Sequence, residues 1–161
     1  MNRRTIIQIS AITGLGLIMS LCSAMAQTKS LKDQLVGSWS LVSAEPYGTN
    51  PKGSYMFDAN GRFSAVLMRN DLPKYTSNSR TQGTSAEYKS TVDGSIAYFG
   101  TYSVSGTDLD LHIEGSTFAN WTGTVQKRTN VTVAGDELKY NVPAPSDGRP
   151  TAAPTVWKRA K

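Results

Sequence analysis

The chain has 161 residues, with 17 Lys and Arg against 12 Asp and Glu, a net charge of +5, and a single His and a single Cys. The basic residues are scattered, with no run of four, so the electrostatic footprint of a nucleic-acid binder is missing. One Cys excludes an intrachain disulfide, and one His with one Cys falls short of the several such ligands that a zinc site draws on.

Residues 1–26 read as a secretory signal peptide. Arg3 and Arg4 form a positive n-region, Ile6 to Leu21 an apolar stretch interrupted by Gln8, Ser10, Thr13 and Ser20, and Ala24-Met25-Ala26 a small-x-small site before Gln27. That stretch is short and polar for a membrane span, which needs about 20 residues. The Arg3-Arg4 pair resembles a twin-arginine export signal but departs from it at Asn2 and Ile6, and ordinary Sec signals also carry two arginines, so both routes stay open. Cys22 follows Leu21 rather than the small residue of a lipobox, and belongs to the discarded signal. Cleavage near Ala26 predicts a periplasmic or secreted protein with no integral membrane segment. The 135 residues left carry 15 Lys and Arg against 12 Asp and Glu, a net +3, and no Cys. Stability then has to come from a core, which a single domain of this size can build.

The elements follow in order from residue 27. Leu31 and Leu35 lie four apart, which predicts a short helix over one end of the domain. From Val36 the period drops to two, and Trp39 and Leu41 share the buried side of a strand. Pro46 to Lys52 is a loop, Gly53 to Phe57 a second strand, and Asp58-Ala59-Asn60-Gly61 a hairpin turn. Arg62 to Met68 returns with Phe63, Ala65 and Leu67 on one face. Residues 69–83 are Ser-, Thr- and Asn-rich and predict a long mobile loop. Residues 84–93 predict one or two helical turns that begin at Thr84 or Ser85, with Glu87 in the capping position, as part of a lid.

Ile96 to Val104 is a strand holding Tyr98, Phe99 and Tyr102, and Ser105-Gly106-Thr107 turns the chain. Asp108 to Glu114 alternates strictly: Leu109, Leu111 and Ile113 against Asp108, Asp110, His112 and Glu114. Gly115 to Trp121 connects to Gly123–Val133, predicted as the longest strand. Ala134-Gly135-Asp136 is a turn, Glu137 to Val142 pairs back across it, residues 143–154 form a Pro-rich loop, and Thr155 to Arg159 is the closing strand. The sum is one all-β domain over residues 27–161: a single antiparallel up-and-down β-barrel of about eight strands, with a short N-terminal helix and a loop/helix lid. Closure removes the unpaired strand edges, and the lack of βαβ alternation argues against a parallel sheet.

Several blocks carry a resemblance. Leu35-Val36-Gly37-Ser38-Trp39-Ser40-Leu41-Val42, Phe63-Ser64-Ala65-Val66-Leu67-Met68-Arg69, Ala97-Tyr98-Phe99-Gly100-Thr101-Tyr102, and His112-Ile113-Glu114-Gly115-Ser116 followed by Asn120-Trp121-Thr122-Gly123-Thr124 resemble the bacterial and fungal lipocalin-like domain family. The similarity runs in order from about Leu35 to Arg159. It implies a calycin-type (lipocalin) barrel and supplies a fold better than an activity, since the family is largely uncharacterised. It also implies a structural role for Gly37 and Trp39 at the closed end, with Arg159, or else Arg128, stacked over the Trp39 ring.

The sharpest candidates for chemistry are His112 and Glu114, two apart on one strand and so on one side of it. Gln126 and Arg128 share that spacing on a following strand, and pairing of the two strands would gather all four into one polar cluster. The cluster lies either in the lumen or outside in water, and Leu109, Leu111 and Ile113 are the more natural core face. Inside, Glu114 would need His112 or Arg128 as a partner, and a His–Glu pair could act as general acid or base or orient a ligand. Tyr98, Tyr102, Phe118 and Trp121 are aromatic positions able to line or gate a pocket, or simply to fill the core. No Gly-x-Gly-x-x-Gly, Walker loop or Gly-x-Ser-x-Gly elbow occurs, so no cofactor and no metal is expected.

Two functions follow as expectations. The first is a binding module that holds a small hydrophobic or amphipathic molecule in the lumen. The second is a small-molecule isomerase, cyclase or hydrolase that uses His112, Glu114 and Arg128. A barrel packed solid, with a purely structural role, is the third possibility.

Overall fold

A computed structural model describes residues 29–149 and 153–161, and the expected signal peptide of residues 1–26 lies outside them. Eight antiparallel strands close into a barrel in sequential order: β1 (Gly37–Ser43), β2 (Lys52–Phe57), β3 (Arg62–Met68), β4 (Ser95–Ser105), β5 (Asp108–Ser116), β6 (Val125–Ala134), β7 (Glu137–Asn141) and β8 (Thr155–Arg159). β8 returns to β1, pairing Trp39 with Arg159 and Leu41 with Trp157. The expected barrel is therefore present, with every strand paired on both edges.

The alternation read from the sequence sets the inner face. Trp39, Phe63, Ala65, Tyr98, Tyr102, Leu109, Leu111, Ile113, Leu138, Tyr140 and Trp157 are all buried. Each large apolar side chain withdrawn from water contributes about 1.5–3 kcal/mol. The aromatic rings form a continuous ladder, from Phe57 against Tyr102 at 5.0 Å, through Phe63 against Tyr98 at 5.9 Å, to Tyr98 edge-on to Trp121 at 5.3 Å.

Two bulges decide where charged side chains go. In the β4–β5 pair, Phe99 faces Gly115 and Gly100 faces Ile113, so Glu114 is an extra residue on β5. Position 100 has to be Gly, because a Cβ there would overlap the His112 carbonyl oxygen. In β6 the register slips between Thr129 and Thr132, around Asn130 at φ 53°. As a result Arg128 and Val131, three apart, both point inward. β6 begins at Val125 rather than the expected Gly123, which sits at φ 79°, so β4 and not β6 is the longest strand.

One end of the barrel is shut by helix α1 (Leu31–Leu35), capped by Ser30. The Trp39 indole N–H donates to the Leu35 carbonyl at 2.8 Å, and the Arg159 guanidinium lies 4.1 Å over the Trp39 ring. Arg159 also donates to the Val36 carbonyl at 3.0 Å and the Gln34 carbonyl at 2.8 Å, tying α1 to β8. Arg159, not Arg128, is therefore the cation over Trp39.

At the opposite end stand the second helix, α2 (Ser85–Asp93), and two single 3-10 turns, Glu45–Tyr47 and Ala119–Trp121. Helix α2 starts with a full capping box between Thr84 and Glu87. The segment 69–83, expected to be a mobile loop, is instead fastened to α2. The Thr76 backbone N–H and hydroxyl both donate to Glu87 Oε1, at 2.8 and 2.9 Å, and the Tyr75 hydroxyl donates to Thr91 at 3.0 Å. The Tyr75 ring also meets Tyr88 edge-on at 5.5 Å. These bonds hold the Glu87 pKa down to about 2, the Thr76 N–H contributing most.

Candidate functional site

The end away from α1 opens into a cavity of about 390 Å³. That volume is within the range of small-molecule sites. Its walls come from residues at or just past the ends of β1, β3, β5 and β7 (Ala44, Leu67, Thr117, Tyr140) and from the first halves of β4, β6 and β8, which converge at this end because neighbouring strands run antiparallel. Leu67, Ile96 and Val142 supply aliphatic wall, Phe118 and Trp121 aromatic wall, and α2 adds Thr91, Val92 and Asp93 at the mouth. Tyr47, on the first 3-10 turn, also lines the cavity.

Among the described residues the one cation on these walls is Arg128. It pairs with Leu109 across the β5–β6 ladder, which turns it to the inner face, and it is 2% exposed. Its guanidinium donates to its neighbour's carbonyl, Lys127 O, at 2.9 Å and to the Tyr98 hydroxyl at 3.3 Å. It lies 5.8 Å from the ring centres of both Trp121 and Tyr140, close enough for cation–π attraction. Its Nε is buried without a partner. All twelve Asp and Glu fall among the described residues, and the ion pairs found there leave Arg128 out. Burial works against this charge, and the oxygens of Tyr98, Tyr140 and Tyr55 outweigh it, holding the Arg128 pKa above the ordinary arginine value.

Neutral hydroxyls surround it. Burial pushes the Tyr47, Tyr55 and Tyr140 hydroxyls above their usual pKa, with neighbouring Tyr98 adding to each. Tyr140 accepts from the Trp157 indole N–H at 2.9 Å, which fixes its ring, while the Tyr55 hydroxyl is buried without a partner. Arg128 and these three tyrosines all keep their protons at neutral pH, so none of them is suited to exchanging a proton there. The arrangement is built to bind: an apolar cavity with one fixed positive pole among hydroxyls.

The expected four-residue cluster does not form. Leu109, Leu111 and Ile113 take the inner face of β5, which turns His112 and Glu114 to the outside, where both are exposed. Glu114 makes a fork-to-fork pair with Arg62 of β3, at 2.7 and 3.1 Å, across the outer surface of β4. That pair holds the Glu114 carboxyl below the usual range. Gln126 pairs with Leu111 and donates to the Thr124 hydroxyl at 3.0 Å, apart from the cavity. Tyr102 is buried towards the shut end, donating to the Asp58 carbonyl at 2.8 Å. Of the expected pocket residues, Tyr98, Phe118, Trp121 and Arg128 line the cavity, and His112, Glu114, Gln126 and Tyr102 do not. The acid–base reading thus loses its His–Glu pair to the solvent.

Tyr47, Tyr55 and Tyr140 were not singled out by the sequence reading. Tyr140 was within reach, since Leu138 and Tyr140 alternate with polar residues. Tyr47 comes from an irregular turn with no periodic signal. Among the described residues no three His, Cys, Asp or Glu gather into a metal site, and no helix is long and apolar enough to cross a membrane.

Comparison with known proteins bears on the family. Among curated proteins none matches the sequence. The barrel is similar to the crystal structure of a lipocalin-like protein from Bacteroides uniformis ATCC 8492, at 18% identity and a TM-score of 0.41, over 79% of this chain and 99% of that one. An uncharacterized protein from Bacteroides eggerthii DSM 20697 is similar at 14% identity and a TM-score of 0.41, over 78% of this chain and 99% of that one. The Cpx pathway activator NlpE from Escherichia coli is similar at 14% identity and a TM-score of 0.37, over 73% of this chain and 46% of that one. The model of the lipocalin-like domain matches residues 36–160, nearly the whole barrel, and the chain belongs to that family.

Proposed function

We propose that the protein is an exported binding protein that holds a small hydrophobic or amphipathic molecule in the open end of its barrel. The observation that carries this reading is the cavity itself: about 390 Å³, apolar-walled, and open at the end away from α1. A barrel packed solid would leave no such space. The signal-like order of residues 1–26 supports action outside the cytoplasm.

Protein purified from its native host, denatured and solvent-extracted, is expected to release a small molecule detectable by mass spectrometry. Trp121 lines the cavity, so hydrophobic dyes and lipids are expected to change the tryptophan fluorescence. No extracted molecule, together with no fluorescence response to a panel of such probes, would overturn the proposal. Fractionation of host cells and N-terminal sequencing of the mature chain test export, with Gln27 the expected first residue.

A further inference from the structure

We infer that the molecule held in the cavity carries a single negative charge, and that Arg128 receives it as a carboxylate. This rests on the reading of the cavity as a binding site and specifies the class of ligand. A guanidinium has five N–H donors in a planar fork. At Arg128 the geometric hydrogen bonds run to Lys127 O and the Tyr98 hydroxyl, the Tyr140 hydroxyl stands close by, and Nε has no acceptor. The side chain is 2% exposed, so water does not freely take up the remaining donors. A buried charge without a counter-charge is costly, and no Asp or Glu of the chain pairs with this one. An anion entering from the open end would supply both the counter-charge and the missing acceptors, and a carboxylate matches the planar fork.

The surroundings favour one charge over two. Among the described residues Arg128 is the only cation on the cavity wall, and the polar groups close to it are tyrosine hydroxyls. The charged side chains nearer the mouth, Asp93 and Asp147, are acidic. They already have Lys89 and Arg149 as partners and offer a dianion nothing. A phosphate monoester would thus lack a second positive partner. Away from Arg128, Leu67, Ile96 and Phe118 give an apolar tail its path to the mouth.

The test compares dodecanoate, 1-dodecanol and dodecyl phosphate as ligands of the full mature protein. Each is kept below its micellar concentration, at a pH well above the carboxylate range, and binding is followed by tryptophan fluorescence and calorimetry. Dodecanoate is expected to bind between about ten- and a hundredfold more tightly than 1-dodecanol, as charge-assisted hydrogen bonds in a buried site predict. Dodecyl phosphate is expected to bind more weakly than dodecanoate. In Arg128→Gln the carboxylate-over-alcohol ratio is expected to fall to near one, and in Arg128→Lys to an intermediate value.

Equal binding of dodecanoate and 1-dodecanol by the wild type overturns the headgroup inference and leaves the apolar binding site standing. Tighter binding of dodecyl phosphate overturns the single charge. Failure of all three probes, and of neutral dyes, overturns the binding function and this inference with it. The wild-type ratio decides even where a variant does not fold.

Discussion

Removing the Arg159 side chain tests whether the closed end is held by the contacts described there. In Arg159→Ala the barrel loses the cation 4.1 Å over Trp39, worth about 1–2 kcal/mol at a partly desolvated site. It also loses donors to the carbonyls of Val36 and Gln34, each bond from a charged group worth about 1.5 kcal/mol or more. The Arg159 side chain is 32% exposed, so water reaches part of the site and rescues some of those carbonyls. The exposed Asp136, 3.9 Å away, adds under about 0.5 kcal/mol. The net expectation is a loss of about 2–3 kcal/mol, a large part of a total stability of about 5–15 kcal/mol. Urea unfolding followed by tryptophan fluorescence reads it as a lowered midpoint at unchanged slope. Arg159→Lys keeps the charge but not the fork, and is expected to lose about half as much. Gly37→Ala probes the same place from below: its Cβ would stand 2.9 Å from Arg159 Nη1, at a φ of +126° that L-residues rarely adopt. An Arg159→Ala midpoint within about 0.5 kcal/mol of wild type would refute the argument, because the surface ion pair alone predicts that little.

Gly100→Ala forces a methyl into the His112 carbonyl at the β4–β5 bulge, and a loss of about 3 kcal/mol or more is expected, seen as a strongly lowered melting temperature or failed expression. His112→Ala and Glu114→Gln alter exposed groups on the outer face; each is expected to leave the melting temperature close to that of the wild type and dye binding in the cavity intact by fluorescence titration. Glu87 has a folded pKa of about 2 against an ordinary value of 4.5, so its hold on segment 69–83 is complete above the ordinary value and fades as pH falls towards about 2. Amide exchange at Thr76 is expected to lose protection over that window in the wild type, and in Glu87→Gln, whose amide oxygen accepts more weakly and does not titrate, to show lower protection with no such pH dependence.

The strands were legible because a barrel with a wet outside and a dry inside imposes period-two patterning, and β5 shows it from Asp108 to the bulge at Glu114. The same pattern gave the correct face for Leu109, Leu111 and Ile113 and hence argued against His112 and Glu114 in the lumen. Trp39 and its cation were legible from the family resemblance, which put Arg159 first and Arg128 as the alternative. The closing register places Arg159 there, by setting it directly across from Trp39. Segment 69–83 looked mobile because its residues are polar. Its order comes from Glu87 and Tyr88 on the following helix, which composition does not register.

β6 explains why the site itself was harder to read. Taken alone, the strand puts Val125, Val131 and Val133 on one side and Gln126, Arg128 and Asn130 on the other, so the valines look like core and Arg128 like surface. The ladder with β5 overrides this by pairing Gln126 with Leu111 and Arg128 with Leu109. Val125 is consequently left 52% exposed. The bulge at Asn130 then restores Val131 to the interior. A strand without the bulge would have to choose between a buried Arg128 with an exposed Val131, or the reverse. With it, the barrel keeps its apolar wall beyond Asn130 and still sets one positive charge among the tyrosines. That placement rests on strand register and a left-handed Asn, both of which depend on the neighbouring strands. Deleting Asn130 should therefore remove the bulge and leave Arg128 and Val131, then two apart on a regular strand, both on the inner face.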